Sequence, residues 1–268
     1  MVRISVIIPT RDRSSDLRRC LDALAECARR LDGSDCRAKL HQVIVVDDAS
    51  AAAHATAAAG SSPLPVEVLR NRHQIGAGAS RRCGVELATG DLLAFLDDDA
   101  APRGDWLIQA AAVDDERPAI TGRVLCFDDS LLSQARQARY DIRYARLERD
   151  APVEFFAGGN SSVLAEVFHE VGGFAREGTG GDNSLAQSMA ERGSPVRFRP
   201  ELVIAHRNGK GWGRALSDAW SSGRQHAERM TVPQGVRALR DGAVGNTRTV
   251  REVNRFLGAV HAVGRFAR

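Results

Sequence analysis

Three short runs of this chain are apolar almost continuously rather than at every second position, and each stops at a small polar or acidic residue. Residues 4–8 (ISVII) lead through Pro9 to Thr10, residues 42–46 (QVIVV) to Asp47-Asp48, and residues 91–96 (DLLAFL) to Asp97-Asp98-Asp99. A strand with one wet face alternates; continuous apolarity marks a strand covered on both faces, as in a parallel sheet. Residues 65–69 read as a further strand. Between the strands lie helical patterns. Over residues 14–31, Leu17, Leu21, Leu24, Ala28 and Leu31 recur at spacings of three and four, with Ser14 or Ser15 available as the cap. Residues 76–88 read as a helix and the alanine-rich 51–59 as a short one. Strands alternating with helices give right-handed βαβ units and a parallel sheet. The 268 residues suffice for one large α/β domain or two small ones.

This alternation has a functional consequence. Open α/β sheets bind ligands beyond the carboxyl ends of their strands. Thr10, Asp47, Asp48 and the triplet Asp97-Asp98-Asp99 all fall at such ends. Three adjacent carboxylates repel one another, which predicts a cationic partner; Mg²⁺ and Mn²⁺ take oxygen ligands of this kind. The competing use is an acidic turn, with Asp98 or Asp99 capping a following helix. Asp47-Asp48-Ala49-Ser50 poses the same choice, between accepting hydrogen bonds from a nucleobase or ribose and capping a helix. His206 closes a strand-like stretch over residues 196–205 and is either a further metal ligand or a structural histidine. Asp182 follows Gly178-Thr179-Gly180-Gly181, as a base in an adjustable loop or as a helix cap.

The second half is less regular. Residues 120–127 read as a strand, 129–149 as an Arg-rich helix, and 155–162 pass from apolar to glycine-rich to polar. Glycines punctuate a loop at 207–213 that carries Arg207, Lys210 and Trp212. The tail from 233 to 268 has seven Arg against Asp241 and Glu252. Val253, Phe256, Leu257, Val260 and Val263 fall near helical spacing within it, which predicts a helix lying on the domain or on an anionic membrane face.

Composition narrows the function. A net charge of +3 is too small to predict nucleic-acid binding. Nearly all of the 37 basic residues are Arg, which suits bidentate phosphate contacts as well as ordinary surfaces. Five cysteines with no CxxC spacing argue against zinc and disulfides and for a reducing compartment. No signal peptide and no run of about 18 apolar residues is seen, so a cytoplasmic protein is expected. The segment Gly76-Ala77-Gly78-Ala79-Ser80-Arg81 lacks the third glycine of a dinucleotide fingerprint and follows the wrong strand, and no nucleophile-elbow, zincin or Walker motif occurs.

Taken in order, ISVIIPTRDR, VIVVDDAS, NRHQIGAGASRRCGVELATGDLLAFLDDDAAP, FFAGGNSSVLAEVFHEVGGF and GTGGDNSLAQSMAERG resemble the motifs of the family 2 glycosyltransferases, over about residues 3–206. The resemblance implies a GT-A fold: an α/β, Rossmann-like, mostly parallel sheet flanked by helices. Its nucleotide-binding half would be 1–100 and its acceptor half 101–230, followed by a basic helical extension, 231–268. It implies an inverting, hexosyltransferase-type enzyme using a UDP or GDP sugar, with Mn²⁺ or Mg²⁺. The acceptor would be a glycan, a lipid carrier or a small natural product, with peripheral contact on the inner membrane face as an option. Residue by residue, Pro9, Thr10 and Arg11 would line the nucleobase pocket, Asp48 would hydrogen-bond the base, and Arg81 would lie by the diphosphate. Asp97 and Asp98 would contact the nucleotide sugar, and Asp98 in particular its ribose. Asp99 and His206 would bind the metal. Gly158, Gly159 and Asn160 would shape the sugar and acceptor site, and Asp182 would be the general base. The chain departs from the family pattern at Arg11, usually aromatic, at Arg82, often Asn, and at Gly181, usually acidic. A nucleotidyltransferase and an inactive sugar-nucleotide binding module are the alternatives.

Overall fold

The computed structural model of the chain describes residues 1–174, 181–206, 211–224 and 231–267. In chain order its strands are β1 (Val2–Thr10), β2 (Ala38–Asp47), β3 (Val66–Arg70), β4 (Leu92–Leu96), β5 (Ala100–Pro102), β6 (Ala119–Cys126), β7 (Asn160–Leu164) and β8 (Arg197–His206). The helices are α1 (Ser14–Asp32), α2 (His54–Gly60), α3 (Ala77–Leu87), α4 (Trp106–Ala110), α5 (Leu131–Tyr144), α6 (Ala165–Glu170), α7 (Gly181–Glu191), α8 (Trp212–Arg224), α9 (Val232–Asp241) and α10 (Arg248–Phe266). The strands form one sheet in the order β3-β2-β1-β4-β7-β6-β8-β5. β1 pairs in parallel with β2 and β4, and β2 with β3. β7 runs antiparallel to β4 and β6. The sheet is therefore parallel where the sequence is most continuously apolar and turns antiparallel at β7.

The central strands are covered on both sides. Ile4, Val6 and Ile8 of β1 pack in one cluster with Leu17, Leu21, Leu24 and Leu31 of α1. Side chains alternate across a strand, so Ile7 goes to the opposite face. There Gly84 of α3 lies so close that a Cβ would come within 2.6 Å of Ile7 Cγ2. Four rings fill the same molecule's second cluster: Phe95 meets Phe156 at 5.7 Å and Phe174 at 5.2 Å, edge-on, and Phe168 meets Phe174 at 5.1 Å. Edge-to-face geometry sets ring quadrupoles favourably and adds to the burial of apolar area.

The chain divides into two compact units, one of residues 1–124 and 147–205, the other of residues 125–146 and 206–268. The first holds nearly all of the sheet. The second is helical: Leu132 and Ala135 of α5 pack with Val250 and Val253 of α10. Asn254, fully buried, ties this unit together by donating to Ala135 O and Val244 O and accepting from Arg139 Nε, each at 2.8 Å.

Several local expectations change in the structure. Neither Ser14 nor Ser15 caps α1; Arg13 holds that position with no side-chain capping bond, since a guanidinium has no acceptor to offer the helix's free N–H groups. The helix expected over 129–149 stops at Tyr144, and Asp150 N donates instead to Phe198 O at 2.8 Å, as the chain returns to β8. Trp212 and Gly213 belong to α8 rather than to a loop, and residues 207–210 of that loop lie outside the described residues. The tail helix is α10, capped by Thr247, whose Oγ1 accepts from Val250 N.

Candidate active site

β1 and β4 are neighbours in the sheet, and the chain leaves their carboxyl ends in opposite directions, α1 from one and β5 from the other. That makes their shared end a switch point, the place where such sheets form a crevice. Thr10 ends β1, and Asp97, Asp98 and Asp99 follow β4. Thr10 Oγ1 donates to Asp98 Oδ2 at 2.8 Å across this point. Arg13 reaches in from the start of α1 and donates from one nitrogen, Nη1, to Asp98 Oδ1 at 3.0 Å and Asp99 Oδ2 at 2.9 Å. Arg81, on α3, donates to Asp97 Oδ1 at 2.6 Å. Each carboxylate of the triplet is thus held by a different set of groups. Burial pushes Asp98 up to about 6, against the pull of Arg13 and Thr10.

The triplet does not cap a helix, since strand β5 follows it. Nor do Asp47 and Asp48 cap α2, whose own cap position is Ala53. Asp47 Oδ1 accepts from Ser50 N at 2.9 Å and its other oxygen pairs with Arg70. Asp48 is buried and accepts from Ile75 N, Gly76 N and Asn71 Nδ2 at 2.8–3.0 Å. Burial alone would raise the Asp48 carboxyl; these donors, with Ser80, hold it below the usual range. Asp48 therefore fixes the turn that opens α3 and carries Arg81 toward Asp97.

The opposite wall comes from the glycine-rich segment before β7. A Cβ on Gly159 would overlap the Asp97 carboxylate, so only glycine lets the backbone lie against that side chain. Asn160 is fully buried; it donates to Leu202 O at 3.0 Å and Arg123 O at 3.1 Å and accepts from Trp106 Nε1 at 2.8 Å. Its amide is spent on holding β6, β8 and α4 together, which sets the position of the Gly158-Gly159 turn. Ser161 Oγ, which lies 2.8 Å from both Thr121 Oγ1 and Ala157 O and hydrogen-bonds with each, pins the same turn.

His206 is the last residue of β8, a strand of the same sheet. One ligand atom each from Asp97, Asp99 and His206 lies within 4.8 Å of the others. Two carboxylates and an imidazole make a donor set that suits Mn²⁺ or Mg²⁺, with room left for water or phosphate oxygens. The side chains differ in access, Asp97 being 34% exposed and Asp99 5%.

Residues 5–172 match the profile described as glycosyl transferase family 2. The chain belongs to this family and so to the glycosyltransferases. Among its relatives, the pre-mycofactocin glycosyltransferase of Mycobacterium tuberculosis is 28% identical over 215 residues, covering 76% of this chain and 42% of the relative. Glycosyltransferase AglE of Haloferax volcanii is 31% identical over 106 residues, covering 39% and 33%. The chain spans less than half the length of either relative. Among solved structures, the mannosyltransferase PcManGT of Pyrobaculum calidifontis, in complex with GDP-Man and Mn²⁺, superposes with a TM-score of 0.62 at 21% identity, covering 99% of this chain and 74% of that one. TarS of S. aureus, in complex with UDP-GlcNAc, gives 0.56 at 15% identity, covering 94% and 70%. These likenesses establish the GT-A fold.

Within this glycosyltransferase the structure gathers Thr10, Arg81, Asp97, Asp98, Asp99, Gly159 and His206 about one strand-end crevice. Pro9 lies within β1 and Arg11 just beyond it, with Arg11 exposed and paired with Asp12. Asp182 is the second residue of α7; its side chain lies outside the described residues, as do Gly178, Thr179 and Gly180. Sequence reading missed Arg13, which bonds two of the three acidic residues. The available signal was its place three residues after Thr10, on the turn leaving β1. It also missed Asn71, which joins Asp48 to Ser80.

Proposed function

We propose that this glycosyltransferase moves a hexose, with inversion, from a UDP or GDP sugar to a hydroxyl of a glycan, lipid carrier or small natural product, with Mn²⁺ or Mg²⁺ bound by Asp97, Asp99 and His206. The convergence of those three groups at the β1–β4 crevice carries this reading. The GDP-Man–Mn²⁺ complex of PcManGT and the UDP-GlcNAc complex of TarS support it. A divalent ion there would supply charge neutralisation for the departing diphosphate.

The chain's own residues divide the remaining work. Pro9, Thr10 and Arg11 line the base side of the crevice. Asp48 acts from below it by shaping the 75–76 turn as well as by facing the base. Asp98, oriented by Thr10 and Arg13, accepts from the ribose. Arg81 stands by the diphosphate, and its bond to Asp97 keeps that carboxylate in place. Gly158 and Gly159 give the sugar a wall without side chains, positioned by Asn160. Asp182, near the amino end of α7, takes the acceptor's proton as its oxygen attacks the anomeric carbon. Holding donor and acceptor in line supplies much of the acceleration. The five free cysteines suit a reducing, cytoplasmic setting. Among the described residues no helix is long and apolar enough to cross a membrane.

A panel of UDP and GDP sugars tests the reading. Turnover should release nucleoside diphosphate, stop in EDTA and return with Mn²⁺ or Mg²⁺. Pyrophosphate release, or full activity in chelator, would overturn it. Asp182→Asn should keep donor affinity, measured by calorimetry, while kcat falls by ~10²–10⁴. Turnover within a few-fold of the parent would remove Asp182 as the base.

A further inference from the structure

Arg13 has no role in the reading above beyond orienting Asp98, yet its position is built with some care. Asp12, before it, has a φ of 52°, a left-handed value that costs an L-residue energy. The strain is held by two bonds to the β2 turn: Asp12 N donates to Ser50 Oγ at 3.0 Å, and Asp12 Oδ1 accepts from Ala51 N at 2.7 Å. Ser50 is itself held by Asp47. The result delivers a permanent cation onto Asp98 and Asp99, through a single nitrogen shared between them. Asp99 is one of the three groups that converge as metal ligands.

We infer that Arg13 is a resident counter-cation that makes divalent-metal binding depend on the nucleotide. Without donor, the Arg13 guanidinium already neutralises the Asp98–Asp99 pair, and a divalent ion entering among Asp97, Asp99 and His206 meets a like charge on two of its own ligands, Arg13 on Asp99 and Arg81 on Asp97. Like charges at short range in a partly buried crevice repel strongly. A nucleoside diphosphate brings two or more negative charges, which accommodate both cations at once. Metal and nucleotide would then bind as a coupled pair, each raising the affinity for the other by the same factor. Arg13 is a positioning residue here, acting through the carboxylates.

The inference rests on the proposed metal site, and the test separates the two. Mn²⁺ binding is measured on the purified chain by electron paramagnetic resonance of free Mn²⁺, with and without UDP or GDP, beside thermal unfolding. Arg13→Gln should bind Mn²⁺ at least about fivefold more tightly than the parent without nucleotide, and the gain from adding nucleotide should shrink, since couplings of this kind span about 5- to 150-fold. Arg13→Lys, which keeps the charge, should stay near the parent. Arg13→Met, which keeps the aliphatic stem, replaces the Gln variant if that one fails to fold. Folded neutral variants that bind free Mn²⁺ no more tightly than the parent overturn the inference and leave the metal site standing. A parent chain that binds no Mn²⁺ under either condition overturns the metal site itself, and the inference with it.

Discussion

At the scale of single residues, the crevice is set by what each position cannot be. Gly159 is the sharpest case, because a Cβ there would occupy the space of the Asp97 carboxylate. Asp97 cannot simply swing aside, since Arg81 holds it at 2.6 Å. Gly159→Ala should therefore displace Asp97, cost about 1–3 kcal/mol as an overpacked site, and weaken Mn²⁺ binding. Thermal unfolding and Mn²⁺ titration check both parts. A folded variant with parental Mn²⁺ affinity would mean that Asp97 is not a ligand. Arg13, Asn71 and Asn160 show the complementary lesson: each side chain is committed to a partner distant in sequence, and composition and spacing gave no hint of which.

Among the elements, α10 is where two expectations meet. One face packs within the second unit, through Val250, Val253 and Ala262, all buried. Gly264 lets the helix approach α8 so closely that a Cβ would come within 2.6 Å of Trp220 O. The packing half of the expectation for the tail therefore holds. The other face leaves Phe256 52% exposed, Val263 53% and Phe266 43%, beside Arg251 and Arg255. Aromatic and aliphatic side chains flanked by Arg suit an anionic lipid surface. On this ground the chain is expected to float with anionic vesicles and not with neutral ones. Phe256→Ser with Phe266→Ser should abolish that flotation; an unmodified chain that stays at the bottom of the gradient, away from the anionic vesicles, would overturn the expectation of membrane contact.

For the whole molecule, the sheet is both the core and the frame of the site. Phe95 sits in β4, touches Phe156, Phe168 and Phe174, and is followed two residues later by Asp97. Phe95→Ala should cost about 3–5 kcal/mol, the range for emptying a buried aromatic site. Urea denaturation followed by sheet circular dichroism measures it. Phe95 stands two residues before Asp97 on the same strand end, so donor affinity should fall even under conditions where the variant is fully folded. A loss below about 1 kcal/mol would mean that the ring cluster is not close-packed.

Much of this was legible in the residues alone, and the reason is physical. Strands buried on both faces must be apolar throughout, so β1, β2 and β4 declared themselves, and the sheet's geometry then forced the residues after them onto one rim. The acidic triplet, Thr10 and the glycine-rich turn followed from that rule together with the order of motifs. What the sequence could not decide was everything set by long-range partners. The antiparallel β7 is a polar strand, Asn160-Ser161-Ser162, stable in the core only because Trp106, Thr121, Leu202 and Ala110 supply its hydrogen bonds. The shortened α5 ends where the chain regains β8, and Arg13, at the cap position of α1, spends its guanidinium on two carboxylates some eighty-five residues away. Local pattern determines which segments are buried; the pairing of charges and polar groups across the chain is decided only when tertiary folding brings them within reach.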